Sequence, residues 1–389
     1  MKNQKLVMKM LETNIRNRRV LKIGNVLFFS FFIFHFSSAQ PQNEDSLFNR
    51  PLILNTMQNV ADWQINNLMT QGFKRPKYDW TYGALYTGIM ELGKISLSER
   101  YKKFLIGIGD SLEWNTGKRR FHADDYCVAQ TYVNLYMIYK DPKMIEPFKK
   151  LADSIIADPH AESLEWKNDI ADREWAWCDA LFMGPTALSY LATATGEQKY
   201  LDIASKLWWK TTDYLYDPAE HLYYRDQNFF DKKEKNGQKV FWSRGNGWVF
   251  AGLARVLANM PKDYPDRKRF EKLYVDMADR IAGLQQPDGS WHASLLDPAS
   301  YPIHETSGTG FYTYGILWGI NNKLLKKKKY LPVAKKGWTI LVNSLHPDGK
   351  LGYVQAIGAA PGQADANSTD TYGVGAFLLA GSELFKLLQ

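Results

Sequence analysis

Cysteine is scarce in this sequence of 389 residues, in which only Cys127 and Cys178 occur. Two cysteines do not make a disulfide scaffold, so the fold has to rest on a hydrophobic core, and we expect two separate buried thiols. The sequence also lacks the cysteine and histidine spacing of a structural zinc site and the His-Glu-x-x-His helix of zinc hydrolases. We therefore expect no metal centre.

A concentrated basic face is also missing from most of the chain. The formal net charge is +8, but residues 1–39 hold seven Lys or Arg and one Glu, so this segment alone carries +6. The rest of the chain has 42 basic and 40 acidic residues. A nucleic-acid partner needs a basic surface in the folded part, and the lysine run at 326–329 is expected to be a solvated loop. We therefore expect no nucleic-acid partner.

No hydrophobic stretch is long enough to span a bilayer comfortably. The apolar stretch at 26–36 follows the basic segment and precedes Ser37, Ser38 and Ala39, the small residues typical of a signal-peptidase site. This pattern predicts a signal peptide over 1–39 and a mature chain that begins near Gln40 and is periplasmic or secreted. An unremoved anchor is the alternative, but we expect no stable membrane anchor.

What the sequence does contain, from about Ser46 onward, is an alternation of two kinds of predicted helix. The first kind is amphipathic, with charged residues between apolar ones at helical spacing. These segments are 57–69, 98–112, 143–157, 198–215, 266–284 and 329–345. The second kind is apolar nearly all round and rich in Gly, Ala and aromatic residues, which predicts burial on every side. These segments are 80–92, 125–139, 179–194, 245–257, 307–320 and 370–387.

Six half-exposed and six buried helices in alternation predict an all-α (α/α)6 barrel, or toroid, in a single catalytic domain over residues 40–389. All six inner helices would begin at one end, which we call the mouth, and helix N-termini there favour an anionic ligand. An open solenoid of helix pairs is the alternative. Two near copies of a Pro-Asp-Gly turn, at 286–291 and 346–351, predict short β-hairpins at the mouth.

Asp179 lies where one buried helix is predicted to begin, beside Trp175, Trp177 and Met183. A carboxylate among such side chains is poorly solvated, which raises its pKa and suits a general acid. An Asp at this position also fits a helix N-cap. The residues alone leave both roles open.

Asp124 and Asp125 open the previous buried helix, predicted over 125–139. One of the pair could cap the helix and leave the other free to face the mouth. Two carboxylates on adjacent inner helices are the usual equipment of glycosidases. Two capping acids remain the alternative, because Asp is common at helix starts.

The segment from Trp242 to Trp248, with Arg244, Gly245 and Gly247 inside it, is the most unusual heptapeptide of the chain. Arg244 offers a planar fork that matches a substrate carboxylate. The glycines permit close backbone approach, and the two indoles can stack on a sugar ring. This combination predicts a substrate-binding element, with a structural glycine turn as the alternative.

Three further residues are candidates for the mouth. Trp80 is a stacking candidate for which a core position is equally compatible with the sequence. Arg225 lies on a predicted hairpin and fits either a ligand contact or a surface position. His304 precedes a polar cluster at 305–307 and has no assigned role.

Trp-Cys-Asp-Ala-Leu-Phe-Met at 177–183 and Trp-Ser-Arg-Gly-Asn-Gly-Trp at 242–248 resemble the unsaturated glycuronyl hydrolases of glycoside hydrolase family 105. Glu-Thr-Ser at 305–307 and the glycine-rich run at 372–381 are also similar to that family. The resemblance extends from about Met57 to the C-terminus. It implies an (α/α)6 barrel that acts on oligosaccharides whose non-reducing end is a 4,5-unsaturated uronic acid. It also implies hydration of the double bond without any metal or organic cofactor.

By this resemblance, Asp179 is the acid/base, and the second family Asp corresponds to Asp124 or Asp125. Asp125 is favoured because it is nearer the predicted helical register, with Asp124 as a substrate contact. Trp242, Arg244 and Trp248 match substrate-contacting positions. Many relatives have a His near the position of Arg225, whereas the nearest His in this chain is His221. That difference leaves the choice between rhamnogalacturonan and ulvan fragments open.

Other functions remain compatible with the pattern. A toroid could belong to a sugar epimerase, which would need several histidines at the mouth, or to a polysaccharide lyase, which would need a Tyr/His pair. A non-catalytic exported glycan-binding protein would have an aromatic, basic mouth without a desolvated acid.

Overall fold

The structure is a computed structural model that describes residues 47–159 and 161–389. The predicted signal peptide lies outside these residues. Within them, twelve α-helices alternate between one-sided and complete burial, as predicted. The outer helices are α1 (Arg50–Gln71), α3 (Arg100–Ser111), α5 (Glu146–Ala157), α7 (Lys199–Leu215), α9 (Arg267–Gly283) and α11 (Lys327–Asn343). The inner helices are α2 (Trp80–Ile95), α4 (Ala129–Tyr139), α6 (Ala180–Thr195), α8 (Ser243–Asn259), α10 (Thr306–Asn321) and α12 (Thr371–Leu387).

The inner helices form a closed ring. Each packs against the next inner helix along the chain, and α12 packs back against α2. At this closure, a Cβ added to Gly88 on α2 would lie 2.5 Å from the carbonyl oxygen of Gly375 on α12, so only glycine allows the two backbones to come this close. The fold is therefore the predicted (α/α)6 toroid, and the open solenoid is wrong.

The polar residues that open three inner helices act as N-caps. Asp79 accepts a hydrogen bond from the backbone N–H of Thr81, and Asp370 accepts one from Thr371. Glu305 accepts from two backbone N–H groups, those of Ser307 and Gly308. These caps satisfy N–H groups that would otherwise lack partners at the helix ends. They also fix the starts of α2, α10 and α12 at the mouth.

The helix predicted over 125–139 begins later than expected. Residues Ala123–Tyr126 form a separate 3-10 turn, and α4 begins only at Ala129. Arg119 and the backbone of Gly117 both bond to Asp125, which holds the chain in this tight turn. The prediction that Asp125 starts the α-helix is therefore wrong.

The predicted hairpins are short. Strand β1 (Tyr216–Asp217) pairs antiparallel with β2 (Leu222–Tyr223). The two Pro-Asp-Gly turns share one geometry, in which Gly289 and Gly349 have φ of +93° and +96°. In both turns the Asp side chain accepts from the backbone N–H two residues later. Glycine is needed here because a side chain is strained at such φ values.

The two thiols are separate, as expected, since Cys127 and Cys178 are both free and buried. Among the described residues, no helix combines the length and apolarity that crossing a bilayer requires.

Candidate active site

Asp179 directly precedes α6, but its side chain makes no capping hydrogen bond to that helix. Its carboxylate instead lies 3.9 Å (Oδ2) from the Nε of Arg225 and accepts a hydrogen bond from the Cys178 thiol at 3.4 Å. The side chain is 13% exposed. The capping role considered from sequence is therefore wrong, and the Asp179 carboxyl group is available for proton transfer.

The surroundings of Asp179 raise the pKa of its carboxyl group above the ordinary value of 3.8. Burial is the largest cause, because a carboxylate loses hydration when it is enclosed by protein. The negative charge of Asp124 adds to the rise, while the guanidinium groups of Arg225 and Arg244 act in the opposite direction. The net effect favours the protonated acid, which is the form that a proton donor needs.

Arg225 faces Asp179 from the end of the β1–β2 hairpin. Its carbonyl oxygen accepts a hydrogen bond from the backbone N–H of Cys178, which fixes the hairpin to the start of α6. Its guanidinium donates to Asp226 and lies 4.8 Å from the ring centre of Trp166. The side chain is only 18% exposed, so Arg225 is not a surface arginine. Its position suits contact with an anionic substrate group near Asp179.

Asp124 and Asp125 have different partners, although they are adjacent. Asp125 is buried and receives hydrogen bonds from both the backbone N–H and the guanidinium of Arg119. Asp124 pairs with no arginine of the described part of the chain, and its carboxylate lies 3.3 Å from Nε2 of His122. Asp124 is also the acid that acts electrostatically on Asp179. The geometry thus favours Asp124, not Asp125, as the second acid of the site, and the reason for preferring Asp125 (its helical register) does not hold.

A cavity of about 350 Å³ opens between the start of α2 and the 3-10 turn that carries both acids. Trp80, Lys118, Arg119, Asp124 and Asp125 line it, together with Pro76, Tyr78 and Asp79. It combines an aromatic ring, cationic groups and carboxylates, which are the groups that bind acidic sugars. Asp179 is not part of this lining.

Arg244 is fully buried and its guanidinium is already engaged. It donates to the carbonyl oxygens of Gln355 and Ala356 and to the hydroxyl of Tyr372, and its Nε has no partner among the described residues. The indole N–H of Trp242 donates to the side chain of the same Gln355. This element thus anchors the segment around Gln355, and direct substrate contact by Trp242 or Arg244 stays a prediction that the observed burial does not favour.

Trp248 has no exposed surface, so it presents no ring face to a ligand in this structure. Its ring packs edge-to-face against Trp80, with 5.9 Å between ring centres, and in a tilted arrangement against Phe311, with 4.3 Å between ring centres. Trp80 is partly exposed and stacks on Tyr372 at 5.4 Å. Trp248 therefore supports the stacked pair of Trp80 and Tyr372 from inside the protein. Of the two tryptophans, Trp80 remains the candidate for stacking on a sugar ring.

The two histidines considered from sequence, His304 and His221, have partners other than Asp179. His304 stacks on Tyr353 and its Nε2 lies 2.9 Å from the Ser344 hydroxyl. His221, in the turn between β1 and β2, pairs through Nδ1 with the hydroxyl of Tyr216. Both side chains therefore make their contacts within the hairpin and turn segments of the chain.

Sequence reasoning assigned no role to His122, Trp166 or Gln355. His122 lies two residues before Asp124 in the sequence, and this spacing was the available signal. Trp166 and Gln355 lie in irregular segments, far in sequence from Arg225 and Arg244, which they contact. Periodicity carries no information about such contacts.

No group of three or more His, Cys, Asp or Glu side chains suited to a metal ion occurs among the described residues. The polar groups described above are those of an acid/base site. Such groups are able to transfer a proton and to bind an anionic ligand.

Comparison with known proteins identifies the family of the chain. The chain is 43% identical over 324 residues to an unsaturated 3S-rhamnoglycuronyl hydrolase of Formosa agariphila, which covers 79% of this chain and 85% of that protein. It is 33% identical over 347 residues to a protein of the same name from Alteromonas sp. (strain LOR), with 84% of each chain covered.

Among solved structures, the protein titled Polysaccharide Lyase BACCELL_00875 superposes with a TM-score of 0.79 at 33% identity, over 87% of this chain and 98% of that one. The fold therefore extends over nearly the whole of that relative. Residues 56–388 match the family described as Glycosyl Hydrolase Family 88. The chain is a glycosidase with a helical toroid fold, and it belongs to Glycosyl Hydrolase Family 88.

Proposed function

We propose that this glycosidase removes a 4,5-unsaturated uronic acid from the non-reducing end of oligosaccharides that polysaccharide lyases produce. The observation that carries the proposal is Asp179, a buried carboxyl group with a raised pKa that caps no helix and faces Arg225. Such an acid can protonate a carbon–carbon double bond, and the arginine can hold the conjugated carboxylate. The names of the two curated relatives support the same substrate class.

In the proposed reaction, Asp179 donates its proton to C4 of the substrate, and a water molecule adds its oxygen at C5. The water proton returns to Asp179, so the carboxyl group is regenerated. The C5 hemiketal then opens, and the glycosidic bond breaks as the anomeric carbon becomes an aldehyde. One water is consumed overall, and no group outside the chain is required.

Asp124 supplies a second negative charge beside Asp179 in this scheme. Its charge helps to keep the Asp179 proton in place until the substrate arrives, because like charges disfavour a second ionisation. Arg225 offsets part of this effect and attracts the uronate. We assign Asp125 to the support of the turn through Arg119, and not to the reaction.

For the sugar next to the uronate, we propose rhamnose linked to an unsaturated glucuronyl residue, as in ulvan fragments. The two curated relatives, 43% and 33% identical, carry the name rhamnoglycuronyl hydrolase. Rhamnogalacturonan fragments are the competing substrates.

The test is a screen of lyase products from ulvan, pectin and glycosaminoglycans, followed by the decay of the absorbance of the unsaturated uronate. We expect decay with the ulvan products and none of comparable rate with the others. Turnover restricted to rhamnogalacturonan products would overturn the rhamnose–glucuronyl assignment, and absence of decay on every product would overturn the hydrolase.

A second candidate is a polysaccharide lyase, because the solved structure with a TM-score of 0.79 carries that title. The products separate the two reactions by mass. A hydrolase adds one water per cleavage, whereas a lyase adds none and creates a new double bond. Absorbance that rises on an intact polysaccharide would favour the lyase.

We also propose that the protein is exported by a signal peptide over residues 1–39. The basic stretch, the apolar stretch and the small residues before Gln40 support this proposal. N-terminal sequencing of the mature protein from the periplasm or the medium tests it, and a start near Gln40 is the expected result. A mature chain that keeps Met1 would contradict it.

A further inference from the structure

His122 lies against the second acid of the site with hydrogen-bond acceptors at both ring nitrogens. Its Nε2 is 3.3 Å from the Oδ2 of Asp124. Its Nδ1 is 2.9 Å from the carbonyl oxygen of Ala171 and 3.2 Å from the Oδ1 of Asp172. The ring stacks on the buried indole of Trp177, with 5.1 Å between centres and 29° between planes.

A neutral imidazole cannot satisfy both sides of this arrangement. It carries one N–H, so a proton on Nδ1 facing Ala171 would leave the lone pair of Nε2 against the Asp124 carboxylate. The geometry therefore calls for one additional proton, held between His122 and Asp124. With this proton the ring donates to both sides, and each donor finds an acceptor.

We propose that His122, protonated on both ring nitrogens, is a positioning residue that holds the negatively charged Asp124 carboxylate in place by an N–H donated from Nε2, a role that rests on the hydrolytic function proposed above. His122 is buried beneath Trp177 and is not part of the cavity that Asp124 lines. It acts on the reaction through Asp124, whose charge in turn acts on Asp179.

The charges around the ring agree with this role. Burial alone would lower the pKa of His122, and Arg119 also acts to lower it, but Asp124 and the Ala171 carbonyl more than offset both, so the pKa is raised above 6.5. Asp172 faces the ring from the other side but is half exposed. Within the described residues, the charged groups that face His122 are Asp124 and Arg119, which flank it in sequence, and Asp172 in the segment 170–172.

The same contact connects the two sides of the site. Ala171 and Asp172 belong to the segment 161–173, which also carries Trp166 beneath the Arg225 guanidinium. His122 thus links Asp124 to the segment that supports Arg225.

The first test follows His122 by NMR of histidine-labelled protein and needs no substrate. In the unmodified protein we expect both ring nitrogens to be protonated below a pKa that lies above 6.5. Asp124→Asn should lower this pKa by about one unit or more, because an opposite charge next to the ring is lost. Asp172→Asn is the matched control and should have a smaller effect, since Asp172 is half exposed. His304 should not respond to either change. An unchanged His122 pKa in Asp124→Asn would overturn the proposal.

The second test separates kcat from KM. His122→Gln keeps a hydrogen-bond donor but no charge, and His122→Phe keeps only the stacking on Trp177. We expect kcat to fall by about 10- to 100-fold in His122→Phe and less in His122→Gln, because misplacement of a catalytic group costs this much. KM should stay nearly constant in both. A rise in KM with unchanged kcat would show that His122 serves binding, and not the positioning of Asp124.

The two tests also distinguish this inference from the proposed function. If no unsaturated oligosaccharide is hydrolysed, the NMR titration still decides whether Asp124 holds the His122 proton. If hydrolysis occurs but the pKa of His122 is the same in Asp124→Asn as in the unmodified protein, the positioning role alone is wrong. If His122→Phe fails to fold, His122→Gln and the titration of the unmodified protein still provide both results.

Discussion

Replacement of Asp179 by Asn is the perturbation that best separates catalysis from structure in this protein. The amide has nearly the same volume but no proton of suitable acidity. Because the Asp179 side chain caps no helix and, among residues 47–159 and 161–389, accepts a hydrogen bond only from the Cys178 thiol, its replacement removes little that stabilises the fold. We expect kcat to fall by about 10²- to 10⁴-fold, the usual contribution of a general acid or base.

The same variant should be as stable as the parent protein or more stable at neutral pH. The pKa of Asp179 is raised in the folded protein, so the folded state binds the proton more tightly than the unfolded chain does. Ionisation of Asp179 therefore reduces stability as the pH rises from 3.8 through the folded-state pKa. Asn cannot ionise, and this loss of stability disappears in the variant.

Asp125→Asn is the matched control, because it changes a buried acid of the same type a short distance away. Asp125 is hydrogen-bonded to Arg119, whose side chain is 51% exposed, so the solvent screens part of the interaction. We expect a loss of about 1–2 kcal/mol in the free energy of unfolding. Activity below the melting temperature should be largely retained.

The measurements are the absorbance decay of an unsaturated oligosaccharide and thermal unfolding at several pH values. The parent activity should fall as the pH rises through the raised pKa of Asp179, because the donor is then ionised. Full activity in Asp179→Asn would refute the acid role. Inactivity of Asp125→Asn at full stability would refute the assignment of Asp125 to structure.

Two further predictions concern the turn and the arginine of the site. A Cβ on Gly117 would lie 2.1 Å from the Asp125 carboxyl carbon, so Gly117→Ala should destabilise the protein by about 1–3 kcal/mol, as overpacking does. Gly107→Ala, which meets no atom within 4 Å on an outer helix, is the control and should melt no lower than the parent. Arg225→Gln should raise the KM for an anionic substrate about tenfold or more, since a charge-assisted hydrogen bond is lost. It should also move the alkaline limb of the pH profile upward, because Arg225 lowers the pKa of Asp179; an unshifted limb would contradict the proximity of the two groups.

Much of the fold could be predicted from sequence because hydrophobic periodicity reports burial, and burial defines the two rings of helices. A segment such as 307–320 has no polar face, and every residue of α10 from Thr306 to Ile320 is indeed buried. The start of α4 could not be predicted in this way. The 3-10 turn before it depends on the contacts of Arg119 and Gly117 with Asp125. These contacts form only when the chain folds, and the hydrophobic periodicity of the sequence does not report them.

The candidate site, like the fold, could be predicted from sequence only in part. Asp179 was recognisable because its indole neighbours in sequence already implied poor solvation, and residues 177–183 resemble a known family. The roles of Asp124 and Asp125 could not be separated, because adjacent residues in a turn point to different partners only once the chain is folded. Arg244 and Trp248 carried a specific motif, yet both are buried. Arg244 is enclosed by the segment at 355–356 and by Tyr372, and Trp248 is enclosed by neighbouring aromatic rings.

The sequence by itself therefore determined the helix count, the alternation of inner and outer helices and the family, and it singled out Asp179 as the principal candidate acid. These features rest on local composition, period and motif. The tertiary structure decided the closure of α12 on α2, the release of Asp179 from helix capping, and the proximity of Arg225 and Asp124 to it. It also placed His122 between Asp124 and Ala171. These depend on contacts between residues distant along the chain or on the path of an irregular turn, and their energies come from burial and charge in three dimensions.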